Sequence, residues 1–130
     1  MNCGDISGVS ELLKICDLYY PNDDTPEKYA RKIVRDRRLT YVAVNGSDIV
    51  GFAMATYDGW VASVWHYCIH PDHRNTRVAR KLIMPLLKQL KSEGADIVYG
   101  FVLPHNENML KRQRLFEQGP LVRVIAHRLK

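Results

Sequence analysis

Two tight-turn dipeptides divide the middle of the chain into three short segments. Asn45-Gly46 and Asp58-Gly59 are each flanked by runs of mainly apolar residues. Such dipeptides favour two-residue hairpin turns, because glycine adopts the positive φ that these turns require. We therefore predict an antiparallel meander of three strands. The strands cover residues 40–44, 49–57 and 60–69.

Helical patterns flank this meander on both sides. Apolar residues recur at helical spacing over residues 6–20 and 76–93, and Thr25-Pro26 predicts the start of another helix, because threonine caps a helix and proline suits its first turn. The order of elements is typical of a mixed α/β (α+β) domain, and the length suits one domain over residues 1–130. The remaining predicted elements are a strand at 97–103, a helix at 106–118 and a strand at 121–129.

Composition excludes several classes of protein. Hydrophobic residues make up 46% of the chain, enough for a core, which excludes global disorder. The three cysteines, Cys3, Cys16 and Cys68, include no C-x-x-C pair, which argues against a disulfide framework and favours a reducing compartment. Neither a secretion signal nor an apolar run of bilayer length is visible. We therefore expect a cytoplasmic protein that does not enter a membrane.

Charge is unevenly distributed along the chain. The formal net charge is +5, but residues 1–30 carry six acids against two bases, and residues 70–91 carry six bases against Asp72 alone. A positive excess favours polyanionic partners such as nucleic acid, acidic lipid or a phosphorylated cofactor. The alternative is a solvated basic helix face without a partner.

The segment from Tyr67 to Arg80 carries most of this positive charge. A predicted strand leads there through a basic loop into the long helix. The N–H groups at a helix start are unpaired within the helix and lie at the positive end of its dipole, so a pyrophosphate suits such a place. Arg74, Arg77, Arg80 or Lys81 would reinforce it.

At this segment the sequence resembles the GNAT-type N-acetyltransferase superfamily. The run from Ile69 to Arg74, which reads Ile-His-Pro-Asp-His-Arg, matches the lead-in of the family's acetyl-CoA segment, and Ala79 matches its last small position. Arg77 departs from the pattern, because it stands where the family usually has its first glycine.

The order of the elements resembles the same family. Residues 49–53 (Ile-Val-Gly-Phe-Ala) are similar to the family's entry into its third strand, and residues 101–106 to the segment before its fourth helix. The resemblance covers about residues 5–129, with the family's first strand short or missing before Asp5.

The resemblance implies a central, mostly antiparallel sheet flanked by helices, and transfer of an acetyl group from acetyl-CoA to a primary amine of a small molecule or protein. The backbone of Tyr67, Cys68 and Ile69 would bind the pantetheine arm like an added strand. A homodimer is compatible with the resemblance, because oligomers are common in the family. The other implied cofactor contacts are Arg74, Asn75, Thr76, Arg77, Val78, Ala79, Arg80 and Asn106.

His66 is the candidate general base, because histidine is the side chain that most often transfers protons in catalysis and this one lies on the central strand. Strand alternation places it opposite Ser63 and Trp65 unless a bulge exchanges the faces. The alternatives are a satisfied, partly buried histidine and a carboxylate acting through water. Many relatives have a tyrosine on the fourth helix as general acid, but residues 106–119 contain none, so water or one of Tyr67 and Tyr99 would replace it.

Three other interpretations of the sequence remain: a metal site, a nucleic-acid-binding surface and a silent CoA-binding module. His66, Cys68 and His70 alternate along one strand, but no second ligand pair follows, so we expect no metal. A second basic cluster keeps nucleic-acid binding open, although no helix-turn-helix or zinc module accompanies it. A catalytically silent CoA-binding module of the same fold is the third. The basic cluster consists of Lys111, Arg112, Arg114, Arg123, Arg128 and Lys130.

Overall fold

The computed structural model describes residues 1–74 and 77–102 of the 130-residue chain. The predicted helix at 106–118 and the strand at 121–129 lie outside the described residues, as does the basic cluster near the carboxyl terminus. The helices of the described part are α1 (Ile6–Ile15), α2 (Pro26–Asp36) and α3 (Val78–Ser92), and its strands are β1 (Thr40–Asn45), β2 (Asp48–Thr56), β3 (Ala62–Ile69) and β4 (Val98–Gly100).

The strands form one sheet in the order β1-β2-β3-β4. The first two pairs are antiparallel, as the meander prediction required, and β4 pairs parallel to β3. Gly46 and Gly59, in the two predicted turns, have φ of 64° and 97°, a region in which glycine is favoured. The predicted mostly antiparallel sheet with flanking helices is confirmed. Of the described helices, none is both long and apolar enough to cross a membrane.

Helices cover both faces of the sheet. On one face, α3 buries Leu82, Ile83, Leu86 and Leu90 against small and branched residues of β2 and β3. On the other, α1 and α2 pack around the fully buried Phe52 of β2. This second layer is made of Val9, Leu12, Leu13, Cys16, Tyr29, Phe52 and Cys68. Burial of this apolar area is the main force that holds the helices on the sheet.

The first helix is shorter than predicted. Apolar periodicity predicted a helix over residues 6–20, but α1 ends at Ile15 because Asp17 adopts a positive φ of 56°. The amide of Leu18 then donates to the carbonyl of Leu13 at 2.9 Å, which closes the helix end. The chain is thereby redirected into the turn that carries Asp24. The second helix begins as predicted, with Thr25 Oγ1 accepting from the Lys28 amide at 3.3 Å.

A β-bulge interrupts β3 next to the candidate base. Across β2, Met54 pairs with His66 and Ala55 pairs with Val64, so Trp65 is the extra residue. Simple alternation would place Val64 and His66 on one face. The bulge instead places Val64 in the core beneath α3, and His66 faces the layer of α1 and α2, beside Phe52.

Candidate functional site

The strands β3 and β4 are paired over only part of β3. Within the described residues their ladder joins Ala62, Ser63 and Val64 to residues 98–100 and continues no further. The rest of β3, from the bulge to Ile69, therefore has one edge that β4 does not occupy. Backbone N–H and C=O groups on such an edge can bind an extended ligand as if it were another strand. This segment includes Tyr67, Cys68 and Ile69, whose backbone the family resemblance implies would bind the pantetheine arm.

The loop after β3 is joined to the sheet by Arg74. Its Nε donates to the carbonyl of Ile69 at 3.0 Å, while the His70 amide donates to the Val50 carbonyl at 2.8 Å. The hydroxyl of Tyr67 donates to the carbonyl of Ala79 in the first turn of α3, at 3.2 Å. These bonds fix the end of β3 relative to the start of α3, which is the relationship that a ligand spanning both would need.

The residues expected to contact the cofactor differ in exposure. Arg74, Arg77 and Arg80 are exposed, whereas Val78 and Ala79 are half-buried against the core. Arg77 precedes α3, and its carbonyl accepts from the Lys81 amide at 3.0 Å. Arg77 and Arg80 are therefore accessible to an anion near the start of α3, while Nε of the exposed Arg74 is bonded to the Ile69 carbonyl. The remaining three residues, Asn75, Thr76 and Asn106, lie outside the described residues.

His66 is buried on β3 and bonded to an acid from a different part of the chain. Only 7% of the residue is exposed, and its Nε2 lies 2.8 Å from Oδ1 of Asp24. The ring of Tyr20 stacks over the imidazole at 6.4 Å between centroids and 23° between planes, and the ring of Phe52 lies 6.0 Å away. Tyr20 itself is 44% exposed, so the covered imidazole lies close to the surface.

Asp24 is the centre of this network. It is 2% exposed, yet its carboxylate accepts from three groups. Oδ1 accepts from the Tyr29 hydroxyl at 2.6 Å and faces Nε2 of His66, and Oδ2 accepts from the Tyr20 amide at 2.7 Å. Burial alone would raise the pKa of Asp24, but the bonds from His66, Tyr29 and Tyr20 outweigh it and lower the pKa below its ordinary value. Burial and the neighbouring Asp24 charge raise the pKa of Tyr29.

A pair of cysteines lies at the other end of the same face. Cys16 and Cys68 are both buried, and the Cys16 thiol is 3.5 Å from the Ile69 carbonyl that Arg74 also contacts. A hydrogen bond from Cys68 and, against the effect of burial, the Arg74 guanidinium lower the pKa of Cys16 to about 6. The same pairing, together with burial, raises the pKa of Cys68. Below its pKa Cys16 can donate to the Ile69 carbonyl, and above it the thiolate accepts from Cys68.

The histidines and Cys68 that alternate along β3 do not converge. His66 is hydrogen-bonded to Asp24, and the free thiol of Cys68 is hydrogen-bonded to Cys16. Nδ1 of His70 accepts from the Asp72 amide at 3.2 Å. In residues 1–74 and 77–102 no three His, Cys, Asp or Glu side chains are grouped as metal ligands would be. The geometry of these described residues therefore gives the metal interpretation no support.

Two open grooves lie away from His66. One, of about 510 Å³, separates the start of α1 from the β1–β2 turn and includes His70, Asp72 and His73. The other, of about 460 Å³, runs between β1 and the first turns of α3. Neither is lined by His66 or Asp24. The chemistry at His66 is therefore assigned from its bonds and from its place on β3, and not from a cavity.

The sequence named His66 as a candidate base, but it did not single out Asp24 or Tyr29 as its neighbours. Asp24 entered only as part of the acidic amino-terminal charge, because 42 residues separate it from His66 and no local spacing connects them. The Thr25-Pro26 helix start was a partial signal. It fixes where α2 begins, and therefore that Asp24 lies in the turn just before it.

Comparison with known proteins gives a consistent result. A model of the acetyltransferase (GNAT) family matches residues 9–118. An acetyltransferase of Pectobacterium atrosepticum is 33% identical over 106 residues, which cover 82% of this chain and 75% of that protein. A Yersinia pestis protein described as an uncharacterized N-acetyltransferase is 37% identical over 106 residues, with the same shares covered.

Solved structures share the fold at lower sequence identity. The PaiA N-acetyltransferase of Thermoplasma acidophilum, in complex with coenzyme A, superimposes with a TM-score of 0.74 at 16% identity, over 86% of this chain and 82% of that one. An aminoglycoside N-acetyltransferase in complex with CoA gives 0.69 at 19% identity, over 100% of this chain and 96% of that one.

Proposed function

The chain belongs to the acetyltransferase (GNAT) family, and on this basis we propose that it transfers the acetyl group of acetyl-CoA to a primary amine, with His66 as the general base. The observation that carries the proposal is the position of His66. It lies beside the bulge of β3, on the strand that pairs with β4 only at Ala62 to Val64 within the described residues, and it is bonded to a buried carboxylate.

Acetyl-CoA fits the described residues in two places. The backbone of Tyr67, Cys68 and Ile69, in the part of β3 beyond its described ladder with β4, would bind the pantetheine arm. The guanidinium groups of Arg74, Arg77 and Arg80 lie near the start of α3, where they would meet the phosphates. We include Asn75, Thr76, Val78, Ala79 and Asn106 in the proposed cofactor site on the resemblance to the family.

The reaction needs a proton acceptor and a stabilised carbonyl oxygen. His66 takes a proton from the acceptor ammonium, directly or through one water, and this frees the lone pair of the amine nitrogen. Backbone N–H groups of β3 donate to the thioester oxygen, on which negative charge develops as the C–N bond forms. The attacking nitrogen then gives its second proton to water and the C–S bond breaks. The CoA thiolate takes a proton, and an amide and free CoA result.

The proton for the thiolate comes from water or from Tyr99 in this proposal. The hydroxyl of Tyr67 donates to the Ala79 carbonyl, so we propose Tyr99 ahead of Tyr67 for this role. Tyr99 lies on β4 and is 54% exposed. Because water reaches an exposed edge without a dedicated donor, a missing fourth-helix tyrosine is compatible with turnover.

The proposed acceptor is a primary amine, and a panel of amines would identify which one. A structural neighbour is an aminoglycoside N-acetyltransferase, so aminoglycosides belong in a test set together with polyamines, lysine peptides and free amino-terminal peptides. We further propose that residues 1–130 form one domain that acts in the cytoplasm, in line with its unpaired cysteines.

Two measurements test the function. Acetyl-CoA at millimolar concentration should raise the melting temperature, because a ligand that binds only the folded state stabilises it. Free thiol should then be released with at least one amine of the set, and mass spectrometry should show that amine acetylated. Stabilisation without thiol release from any amine would favour the silent CoA-binding module. Salt-sensitive binding of DNA or RNA without any effect of acetyl-CoA would favour the nucleic-acid alternative.

A further inference from the structure

We propose that Asp24 is a positioning residue that holds His66 with the proton on Nε2, so that Nδ1 is the ring nitrogen left to take a proton from the acceptor amine. The role in catalysis rests on the proposed function, in which His66 is the general base. The orientation of the ring and its tautomer are properties of the folded chain that can be measured without a substrate.

The bonds around Asp24 determine which partner donates. A backbone N–H can only donate, and the Tyr20 amide lies 2.7 Å from Oδ2, so that oxygen must accept. The Tyr29 hydroxyl donates to Oδ1 at 2.6 Å. With the pKa of Asp24 lowered, both oxygens are acceptors near neutral pH. Nε2 of His66, 2.8 Å from Oδ1, must therefore carry its hydrogen.

The position of Asp24 is itself fixed by the backbone. Its amide donates to the carbonyl of Tyr20 at 2.7 Å, in the turn that follows α1, and Thr25 caps α2 immediately after it. The carboxylate is therefore anchored to the helical layer, while His66 belongs to the sheet. Such a hydrogen bond to the ring nitrogen not used in the reaction is how a partner fixes the tautomer and orientation of a functional imidazole.

The imidazole is also confined by its neighbours. Phe52 is fully buried 6.0 Å from the ring centroid, and Tyr20 stacks on the ring. Tyr29 contacts the edge of Phe52 at 5.9 Å and an interplanar angle of 78°, so the three aromatic rings and Asp24 form one packed unit. Loss of the Asp24 charge would therefore change which ring nitrogen of His66 carries the proton more than it would change the packing around the ring.

The variant Asp24→Asn tests the proposal, because it keeps the shape and reverses the two hydrogen bonds that Oδ1 accepts, those from His66 and from the Tyr29 hydroxyl. The Tyr20 amide still needs an acceptor, so the amide oxygen of the variant faces Tyr20 and its NH₂ group faces Nε2. That NH₂ group donates, and the proton of the neutral imidazole moves to Nδ1. Asp23→Asn is the matched control, since Asp23 lies one residue earlier and its carboxylate pairs with the exposed Lys28.

Two readouts separate this role from a structural one. Long-range proton–nitrogen spectra of His66 should show the Nε2–H tautomer in wild type and in Asp23→Asn, and the Nδ1–H tautomer in Asp24→Asn. With an acetyl acceptor, Asp24→Asn should lower kcat on the order of 100-fold, the share that general acid–base catalysis contributes. The KM for acetyl-CoA should remain within about twofold, because Asp24 does not contact the proposed cofactor site.

The results that overturn the proposal are distinct from those that overturn the function. A wild-type His66 in the Nδ1–H tautomer contradicts it even if no variant folds. An Asp24→Asn protein that keeps both the wild-type tautomer and kcat also contradicts it. If wild type acetylates no amine while the tautomer reverses in Asp24→Asn, the positioning of His66 stands and the proposed transferase function fails.

Discussion

Oδ1 of Asp24 lies 2.8 Å from Nε2 of His66, although 42 residues separate the two along the chain. Both residues are buried, and Asp24 accepts two further hydrogen bonds, from Tyr29 and Tyr20. The pair connects the turn before α2 to the central strand β3. A buried, fully bonded carboxylate of this kind affects both the stability of the fold and the chemistry available to the imidazole.

The first prediction concerns acid stability. The folded-state pKa of Asp24 lies below its ordinary value of 3.8, so its ionised form stabilises the fold above that value, and this contribution is lost as pH falls through the lower folded-state pKa. Asp24→Asn should cost about 3 kcal/mol at neutral pH and should lack this part of the acid dependence. Urea unfolding from neutral pH to below pH 3.8 measures both. Parallel curves for wild type and variant would contradict the prediction.

The second prediction isolates the tyrosine bond to the same carboxylate. Tyr29→Phe removes the hydroxyl that donates to Asp24 at 2.6 Å and keeps the ring against Phe52. We expect a loss of about 1.5–3 kcal/mol, the usual value for a hydrogen bond to a charged group. Tyr41→Phe on β1, outside this network, is the control and should change the free energy of unfolding by less than about 0.5 kcal/mol. Equal effects of the two variants would argue against a bond to an ionised Asp24.

The third prediction concerns the thiol of Cys16. Because Cys68 and the Arg74 guanidinium stabilise its thiolate, the ultraviolet thiolate absorbance should rise with a midpoint near pH 6. In Arg74→Gln the midpoint should move upward toward the ordinary value of 9.0, since a positive neighbour is lost. All proteins would carry Cys3→Ser to remove the exposed thiol. A transition near pH 6 that persists in Cys16→Ser would show that another group is responsible.

The fourth prediction concerns Gly51 on β2. A Cβ at Gly51 would lie 3.0 Å from the side chains of Ile69 and Leu82, both in the core beneath α3. Gly51→Ala should therefore destabilise the fold by about 1–3 kcal/mol through overpacking. Gly100→Ala on β4 is the matched control, because a Cβ there meets no atom of the described residues within 4 Å. Chemical unfolding compares them, and a stability of Gly51→Ala equal to that of Gly100→Ala would be inconsistent with this packing.

Local signals explain what the sequence could predict. The Asn45-Gly46 and Asp58-Gly59 turns and the Thr25-Pro26 helix start each depend on a few adjacent residues. The chain reverses at both dipeptides and α2 begins as predicted, but the second connection spans residues 57–61 instead of a two-residue turn. The end of α1 was placed too late, because apolar periodicity continues past Ile15. The helix ends where Asp17 adopts a left-handed conformation. Such a conformation is hard to predict from the sequence at a residue other than glycine.

Long-range relationships explain what the sequence missed. The bulge at Trp65 follows from how β2 and β3 pair, and it decides which face His66 occupies. From the sequence, the bulge was only an alternative to simple strand alternation. The bond between Asp24 and His66 depends on α2 packing over the sheet, which no spacing along the chain encodes. The candidate base could therefore be named from its residue type and strand, whereas its partner required the fold.

The most direct test of the account is the rate of thiol release from acetyl-CoA by wild type and His66→Gln, with the amine that wild type acetylates fastest. Glutamine keeps a polar side chain that can bond Asp24 but cannot act as a base near neutral pH. The account predicts that kcat falls on the order of 100-fold or more, with the KM for acetyl-CoA unchanged within about twofold. A folded His66→Gln protein that releases thiol at the wild-type rate would contradict it.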